Sequence, residues 1–338
     1  MSASVLVVGG AGYIGSHMVK MLADAGFRTT AFDNLSRGHR NAVIAGQFVQ
    51  GDLLNPEDLT RLFDQNHFDL VMHFAAFCYV GESVQEPLNY YRNNVAGTLN
   101  LLDAMRTAGV DKFVFSSSCA TYGIPDKTPI IEAAVQAPIN PYGHSKLMVE
   151  KILKDFAVAY NLKSVALRYF NAAGCDPEGK LGERHTPETH LIPLVLCEAL
   201  RIQRGGDPKD TGLSAFGDDF DTPDGTCIRD YIHVQDLCNA HLLAAARLLE
   251  AKVAGFEAYN LGNGRGFSVK EVIETCRKVA GIEIPYEIIA RRAGDPPCLV
   301  GSSASARKVL GWQPQLTELT AIIETAWKWF GRDGQVIV

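Results

Sequence analysis

The chain has 338 residues, 47% of them hydrophobic, enough to bury one large core or two medium ones. Lys plus Arg number 32 against 38 Asp plus Glu, and the net charge of −6 argues against a general nucleic-acid binder. The apolar runs are too short to span a bilayer and no basic leader opens the chain, so a cytoplasmic protein with no membrane partner is expected.

Short β-branched runs predict strands over 4–8, 28–33, 47–50, 70–74, 112–116 and 164–169. Between them, 13–25, 56–66, 88–108 and 142–160 carry apolar residues at helical intervals. This alternation predicts an α/β fold with a doubly wound parallel sheet, in which ligands bind beyond the carboxyl ends of the strands. After Asn171 the pattern breaks into Gly-, Pro- and acid-rich loops. The expected division is a dinucleotide-binding domain over 1–170 and a smaller, substrate-binding domain over 171–338. The two are partly interleaved, because a helix over 229–250 and a strand over 258–261 can return to the main sheet.

Gly9, Gly12 and Gly15 follow the first strand and open the first helix. Without side chains the backbone turns tightly and approaches a pyrophosphate, which the helix start attracts. Asp33 ends the second strand, 18 residues after Gly15, where a carboxylate accepts the two ribose hydroxyls of NAD and repels a 2′-phosphate. Arg37 and Arg40 speak for NADP, but the acid at the strand end favours NAD as cofactor. Asp52 has two readings of equal weight, an acceptor for the adenine amino group or a turn carboxylate.

Tyr142 and Lys146 lie on one face of a helix. An ammonium nearby, together with a positive nicotinamide, favours the phenolate over a phenol with a reference pKa of about 10, making the tyrosine a general base. Ser116-Ser117-Ser118 follows the fifth strand and adds a hydroxyl donor. The eight cysteines are scattered with no Cys-x-x-Cys pair, which suits reduced thiols. His185 and His190 stand five apart, fit no common metal spacing and have no Cys or His companions, so no metal is expected.

Together the glycine turn, the serine run and Tyr142/Lys146 resemble the extended short-chain dehydrogenase/reductase family and its Rossmann fold. Further segments are similar to the UDP-glucose 4-epimerases within it, in the same order along almost the whole chain. They are Gly9-Gly10-Ala11-Gly12-Tyr13-Ile14-Gly15, Asp33-Asn34-Leu35, Val80-Gly81-Glu82-Ser83-Val84, Asn93-Asn94-Val95, Tyr142-Gly143-His144-Ser145-Lys146, Arg168-Tyr169-Phe170-Asn171 and Arg229-Asp230-Tyr231-Ile232-His233.

The resemblance implies an NAD-dependent isomerase of galactose and nucleotide-sugar metabolism that interconverts UDP-glucose and UDP-galactose through a transient 4-keto sugar, acting as a homodimer. Tyr142 is the implied base, Lys146 its electrostatic partner and a ribose ligand, and Ser118 the hydroxyl that assists proton transfer. Tyr13, Ile14, Asn34, Leu53, Phe74, Ala75, Asn93, Ser116 and Tyr169 join the glycines and Asp33 at the cofactor. Phe170, Asn171, His190, Leu191, Ala215, Phe216, Arg229, Arg292, Asp295 and Leu299 are the implied sugar-nucleotide residues, with both arginines on the diphosphate. Without the resemblance each lone arginine reads as surface charge, and Tyr169-Phe170 as plain core.

Three positions depart from the family pattern: His190 stands where Asn is usual, Cys78 where a Lys often follows the Phe-Ala segment, and the small residues of Ser118-Cys119-Ala120-Thr121-Tyr122 differ. Leu299, in the segment 291–299, replaces a Tyr associated with excluding a 2-N-acetyl group, so either the N-acetylated pair is also accepted or Leu299 is core. The helical stripes of 88–108 and 142–160 face either a dimer partner or the sheet. One alternative is a nucleotide-sugar 4,6-dehydratase, but residues 118–123 hold no carboxylate for the elimination. Another is a non-catalytic NAD-binding protein, which has no use for Ser118, Tyr142 and Lys146 together.

Overall fold

The computed structural model describes residues 2–292 and 295–332. Ala293 and Gly294 of the segment 291–299, and the end of the region assigned to 171–338, lie outside the described residues.

Seven parallel strands form the main sheet: β1 (Ser4–Val8), β2 (Arg28–Asp33), β3 (Gln47–Gln50), β4 (Leu70–His73), β5 (Lys112–Ser118), β6 (Lys163–Tyr169) and a last strand, Phe256–Leu261. Their order, last strand-β6-β5-β4-β1-β2-β3, reverses direction at β1, beside β4. A crevice opens at such a switch point, beyond the strand ends. Residues of β1 alternate between two cores, as a pleated strand requires. Val5 and Val7 meet Met18 and Leu22 on one face, whereas Leu6 and Val8 meet Leu102 and Leu153 on the other. With both faces covered, the strand reads as a continuous apolar run.

Helices α1 (Tyr13–Asp24) and Val234–Leu249 cover the first face; α2 (Pro56–Gln65), Gly97–Thr107 and Pro141–Tyr160 cover the second. β4 stops one residue before the expected end, because the amides of Phe74 and Ala75 both turn onto the Val8 carbonyl, at 2.8 and 3.1 Å. β5 runs two residues beyond, because Ser117 and Ser118 still pair with Arg168 and Tyr169.

Two expected helices are corrected. The segment 88–108 is broken into Pro87–Tyr90, a π-helical turn at Tyr91–Ala96, and Gly97–Thr107. Within the turn, the buried Asn94 side chain accepts from the Phe77 amide at 2.9 Å and donates to the Phe77 carbonyl at 3.0 Å and to Ser145 Oγ at 3.1 Å. The helix expected from 229 begins at Val234, capped by His233. Before it, Asp230 is fully buried and accepts the amides of Asn263 and Gly301, which holds 228–233 extended.

A further core forms after residue 170, where the helices Leu191–Gln203, Val269–Ala280 and Leu319–Phe330 pack Leu196, Ile273 and Ile323 together. The strand Phe256–Leu261 pairs along its whole length with β6 at the edge of the main sheet. No helix among the described residues is long and apolar enough to cross a membrane, and all eight cysteines are free thiols.

Candidate active site

At the carboxyl end of β1 the backbone turns through Gly9, whose φ is +80° and where a Cβ would stand 2.4 Å from the Ala75 amide nitrogen. Internal packing therefore demands glycine there. Gly12 differs: a Cβ on it would meet only the Gly9 carbonyl oxygen, at 3.4 Å, and the residue lines the cleft beside β1. Its missing side chain leaves room for a ligand at the start of α1, where the amides of Tyr13, Ile14 and Gly15 have no intrahelical acceptor. The cleft is walled by Gly9, Gly12, Asp33, Asn34, Asp52, Leu53, Phe74, Ala75 and Asn93. These groups fit one half of a dinucleotide: amides and a helix start for phosphate, a strand-end acid for ribose, apolar walls for a base. The side chain of Tyr13 turns away from the cleft and donates to the Gly174 carbonyl, so only its backbone faces a phosphate.

Asp33 is nearly buried and accepts the amides of Ala11 at 3.0 Å and Leu35 at 2.8 Å. Burial raises its carboxyl above the usual value, and these two amides oppose the rise. Asp52 is a turn carboxylate, Oδ1 accepting the Leu54 amide, and its Oδ2 accepts from Asn34 at 2.9 Å on the cleft wall.

The reacting groups stand where β5 and β6 end. Ser118 closes β5 and caps the turn Cys119–Thr121 by accepting the Ala120 amide at 3.2 Å. The helix Pro141–Tyr160 starts against this turn because Gly143 has no side chain; a Cβ there would lie 2.4 Å from the Ala120 carbonyl oxygen. That contact brings Tyr142 to Ser118. Lys146, one turn later and buried, donates to the Ser116 carbonyl at 2.7 Å, and Ser116 Oγ meets the Tyr169 hydroxyl at 2.9 Å.

Burial raises the Tyr142 phenol well above its usual value, and the Ser118 hydrogen bond only partly offsets this. Burial also lowers Lys146 to about 8, with Cys78 and Glu150 opposing. The Lys146 Nζ sits 5.8 Å from the Tyr142 ring centre. Burial thus disfavours the Tyr142 phenolate in the protein alone, and the expected phenolate needs the positive charge of a bound nicotinamide beside that of the ammonium.

Beyond this point short strands gather the residues assigned to the sugar nucleotide. Ile228–Arg229 pairs with Cys298–Leu299, and Ser214–Phe216, which carries Ala215, pairs with Glu287–Ile289. Arg229 is ion-paired with Asp295 at 3.3 Å and donates to the Pro296 carbonyl, while Arg292 lies 3.7 Å over the Phe216 ring. The amide of Asp295 donates to the Arg292 carbonyl, which joins the two groups. Asn171 donates to the Asp230 carbonyl. Leu299 packs with Tyr122, Ile130 and Phe170. His190 caps the helix that Leu191 opens, and its Nδ1 turns to Glu188 at 2.8 Å.

The model of the NAD dependent epimerase/dehydratase family matches residues 5–262, most of the chain. The chain belongs to this family. The UDP-glucose 4-epimerase of Halalkalibacterium halodurans is 50% identical over 326 residues, covering 96% of this chain and 95% of that protein. Among solved structures, UDP-glucose 4-epimerase from Brucella ovis in complex with NAD has a TM-score of 0.92 and 51% identity, covering 98% of this chain and 99% of that one. The Bifidobacterium longum enzyme in complex with NAD+ and UDP has a TM-score of 0.91 and 37% identity, covering 99% and 100%.

This family member also contains two groups that the sequence reading passed over. Glu150, fully buried on the helix of Tyr142 and Lys146, accepts from Ser117 Oγ at 2.6 Å and from Arg168 at 2.9 and 2.6 Å. Arg168 continues to the Tyr122 hydroxyl, and Tyr122 to Asn260. The network fixes the Tyr142 helix to β5 and β6. Glu150 repeats the four-residue spacing of Tyr142 and Lys146, a signal present in the sequence. Second, His185 and His190 do have companions: Glu183 and Glu188, carboxylates where only Cys and His were sought. Burial lowers His185, but the two glutamates outweigh it and raise the imidazole to about 10.

Proposed function

We propose that this chain interconverts UDP-glucose and UDP-galactose by inverting carbon 4 of the sugar, with NAD as its resident cofactor. The observation that carries the reading is the meeting of Ser118 and Tyr142 at the strand ends, above Lys146 and beside a dinucleotide cleft. The high identity to UDP-glucose 4-epimerases over nearly the full chain supports it.

The glycine turn, Asp33 and Lys146 would hold NAD, which when bound would supply the acceptor and donor of the hydride at carbon 4. Tyr142 takes the proton of the 4-hydroxyl and gives it back, and Ser118 holds that oxygen in line. Lys146 orients the cofactor ribose and supplies positive charge beneath the phenol. Arg229 and Arg292 hold the diphosphate, and Arg229 exchanges its Asp295 partner for that ligand. Binding free energy then falls on the nucleotide, and the apolar Phe170 and Leu299 leave the sugar free to turn over between the two transfers.

We divide the chain into the cofactor-binding region 1–170 and the substrate-binding region 171–338, interleaved through the returning strand Phe256–Leu261. Exposed Val84, Leu88, Leu99 and Met148 on the Tyr142 side of the molecule support a homodimer through that face. Sedimentation equilibrium giving a monomer would contradict it. The free thiols suit the cytoplasm, and fractionation that finds the protein outside it would overturn that assignment.

The deciding experiment incubates the purified protein with UDP-galactose and no added cofactor. UDP-glucose is the expected product. A 4-keto-6-deoxy sugar would favour the dehydratase reading, and no product a non-catalytic NAD-binding protein.

A further inference from the structure

Glu183, His185, Glu188 and His190 hold their ligating atoms within 4.8 Å of one another. His185 Nδ1 lies 3.3 Å from both carboxylates, and His190 Nδ1 lies 3.2 Å from Glu183 and 2.8 Å from Glu188. In a tetrahedral zinc site with bonds of about 2.0–2.1 Å, neighbouring donor atoms stand about 3.3 Å apart. With Glu188 Oε2 as that residue's donor, the other three His–Glu separations have the length of a tetrahedron edge, and the 2.8 Å contact of His190 is to the second oxygen, Oε1.

The two carboxylates are 4% and 3% exposed, and they differ in how they are held. Glu188 accepts the amides of Thr189 at 2.7 Å and His190 at 2.8 Å, which orients it as an outer hydrogen-bond shell orients a metal ligand. Among the described residues, the two imidazoles are the only ion-pair partners of the Glu183 carboxylate. A buried carboxylate without an amide or hydroxyl donor is costly unless a cation meets it. Two imidazolium rings would meet the charge, but their centroids are 5.0 Å apart and the two like charges repel. One divalent ion among the four donors supplies the same charge, with both imidazoles neutral.

We infer that Glu183, His185, Glu188 and His190 form a binding site for one divalent transition-metal ion of the zinc type. Binding releases to solvent whatever protons the two Nδ1 atoms carry; no redox step is involved. Four protein ligands leave no open coordination position, so the role is structural. The ion would fix the segment 183–190 against the rim of the cofactor cleft. There the His185 ring stands edge-on to Tyr13 and Tyr79, at 6.2 and 6.0 Å, and Arg37 donates to the Thr186 carbonyl at 3.2 Å.

The test is a Co²⁺ titration of the full chain after chelator treatment and dialysis, read by visible d–d absorption and by metal content. One Co²⁺ per chain with a tetrahedral spectrum is expected, displaced by Zn²⁺. Glu183→Gln and His185→Gln should each weaken uptake by more than about 100-fold, beyond what loss of an outer-shell partner costs. Zn²⁺ should raise the melting temperature of the unaltered chain and leave that of the variants unchanged. Should a variant not fold, the unaltered chain decides alone: no stoichiometric uptake overturns the site and leaves four residues paired as ions. Uptake that persists at full affinity in folded variants also overturns it. Neither readout depends on epimerase activity.

Discussion

Replacing Glu150 by Leu removes four hydrogen bonds and leaves the Arg168 guanidinium, 3% exposed, with no counter-charge. Breaking one side of a buried ion pair costs about 3–5 kcal/mol. Unfolding entropy is roughly 2.1 cal/mol/K per residue, or about 0.7 kcal/mol/K for a chain of this length. The melting temperature should therefore fall by about 4–7 °C. Arg168→Met should cost a similar amount, since it strands the carboxylate. The double variant, Glu150→Leu with Arg168→Met, should recover most of the loss, because apolar residues replace a buried pair at little cost. Calorimetry of the four proteins at pH 7 gives the coupling directly. The network also seats the helix of Tyr142 and Lys146, so turnover should fall in the single variants and partly return in the double. Single variants that melt within about 1 °C of the unaltered chain would refute this account of the network.

Tyr142→Phe should keep the fold and the cofactor while turnover drops on the order of 100-fold to 10,000-fold; activity within a few-fold would move the base elsewhere. Burial disfavours the Lys146 ammonium, placing it near 8 in the fold against 10.5 for an ordinary lysine. Between these values the unfolded chain binds more protons, so stability without cofactor should rise with pH there. Lys146→Met should lack that rise, and a difference between the two proteins that stays flat from pH 7 to beyond about 10 would contradict it. Leu299→Tyr adds bulk beside Phe170 and should lower turnover of UDP-N-acetylgalactosamine much more than of UDP-galactose. Equal losses would leave Leu299 a core residue.

The sheet was legible because β1, buried on both faces, reads as the continuous apolar run Val5–Val8, and because β6 carries Val165-Ala166-Leu167 at its centre. Gly9, Gly12 and Asp33 were legible because the chain itself spaces them. What escaped depends on contacts made across the fold. Asn94 breaks the 88–108 helix by reaching Phe77 and Ser145, and Asp230 holds the 229 segment extended through Asn263 and Gly301. Arg168 meets Glu150 only because β6 lies beside the helix that follows β5. Tyr142 and Lys146 were visible as a pair, but no spacing reveals that burial holds the phenol neutral.

The most direct test of the proposed chemistry uses UDP-galactose deuterated at carbon 4, with the protein as purified, ordinary water and no added nucleotide. If carbon 4 gives up and regains the same hydrogen beside Ser118 and Tyr142, the UDP-glucose formed keeps its deuterium at carbon 4. Loss of the label to solvent, at the rate of epimerisation, would mean that carbon 4 is inverted by proton exchange and would contradict the account.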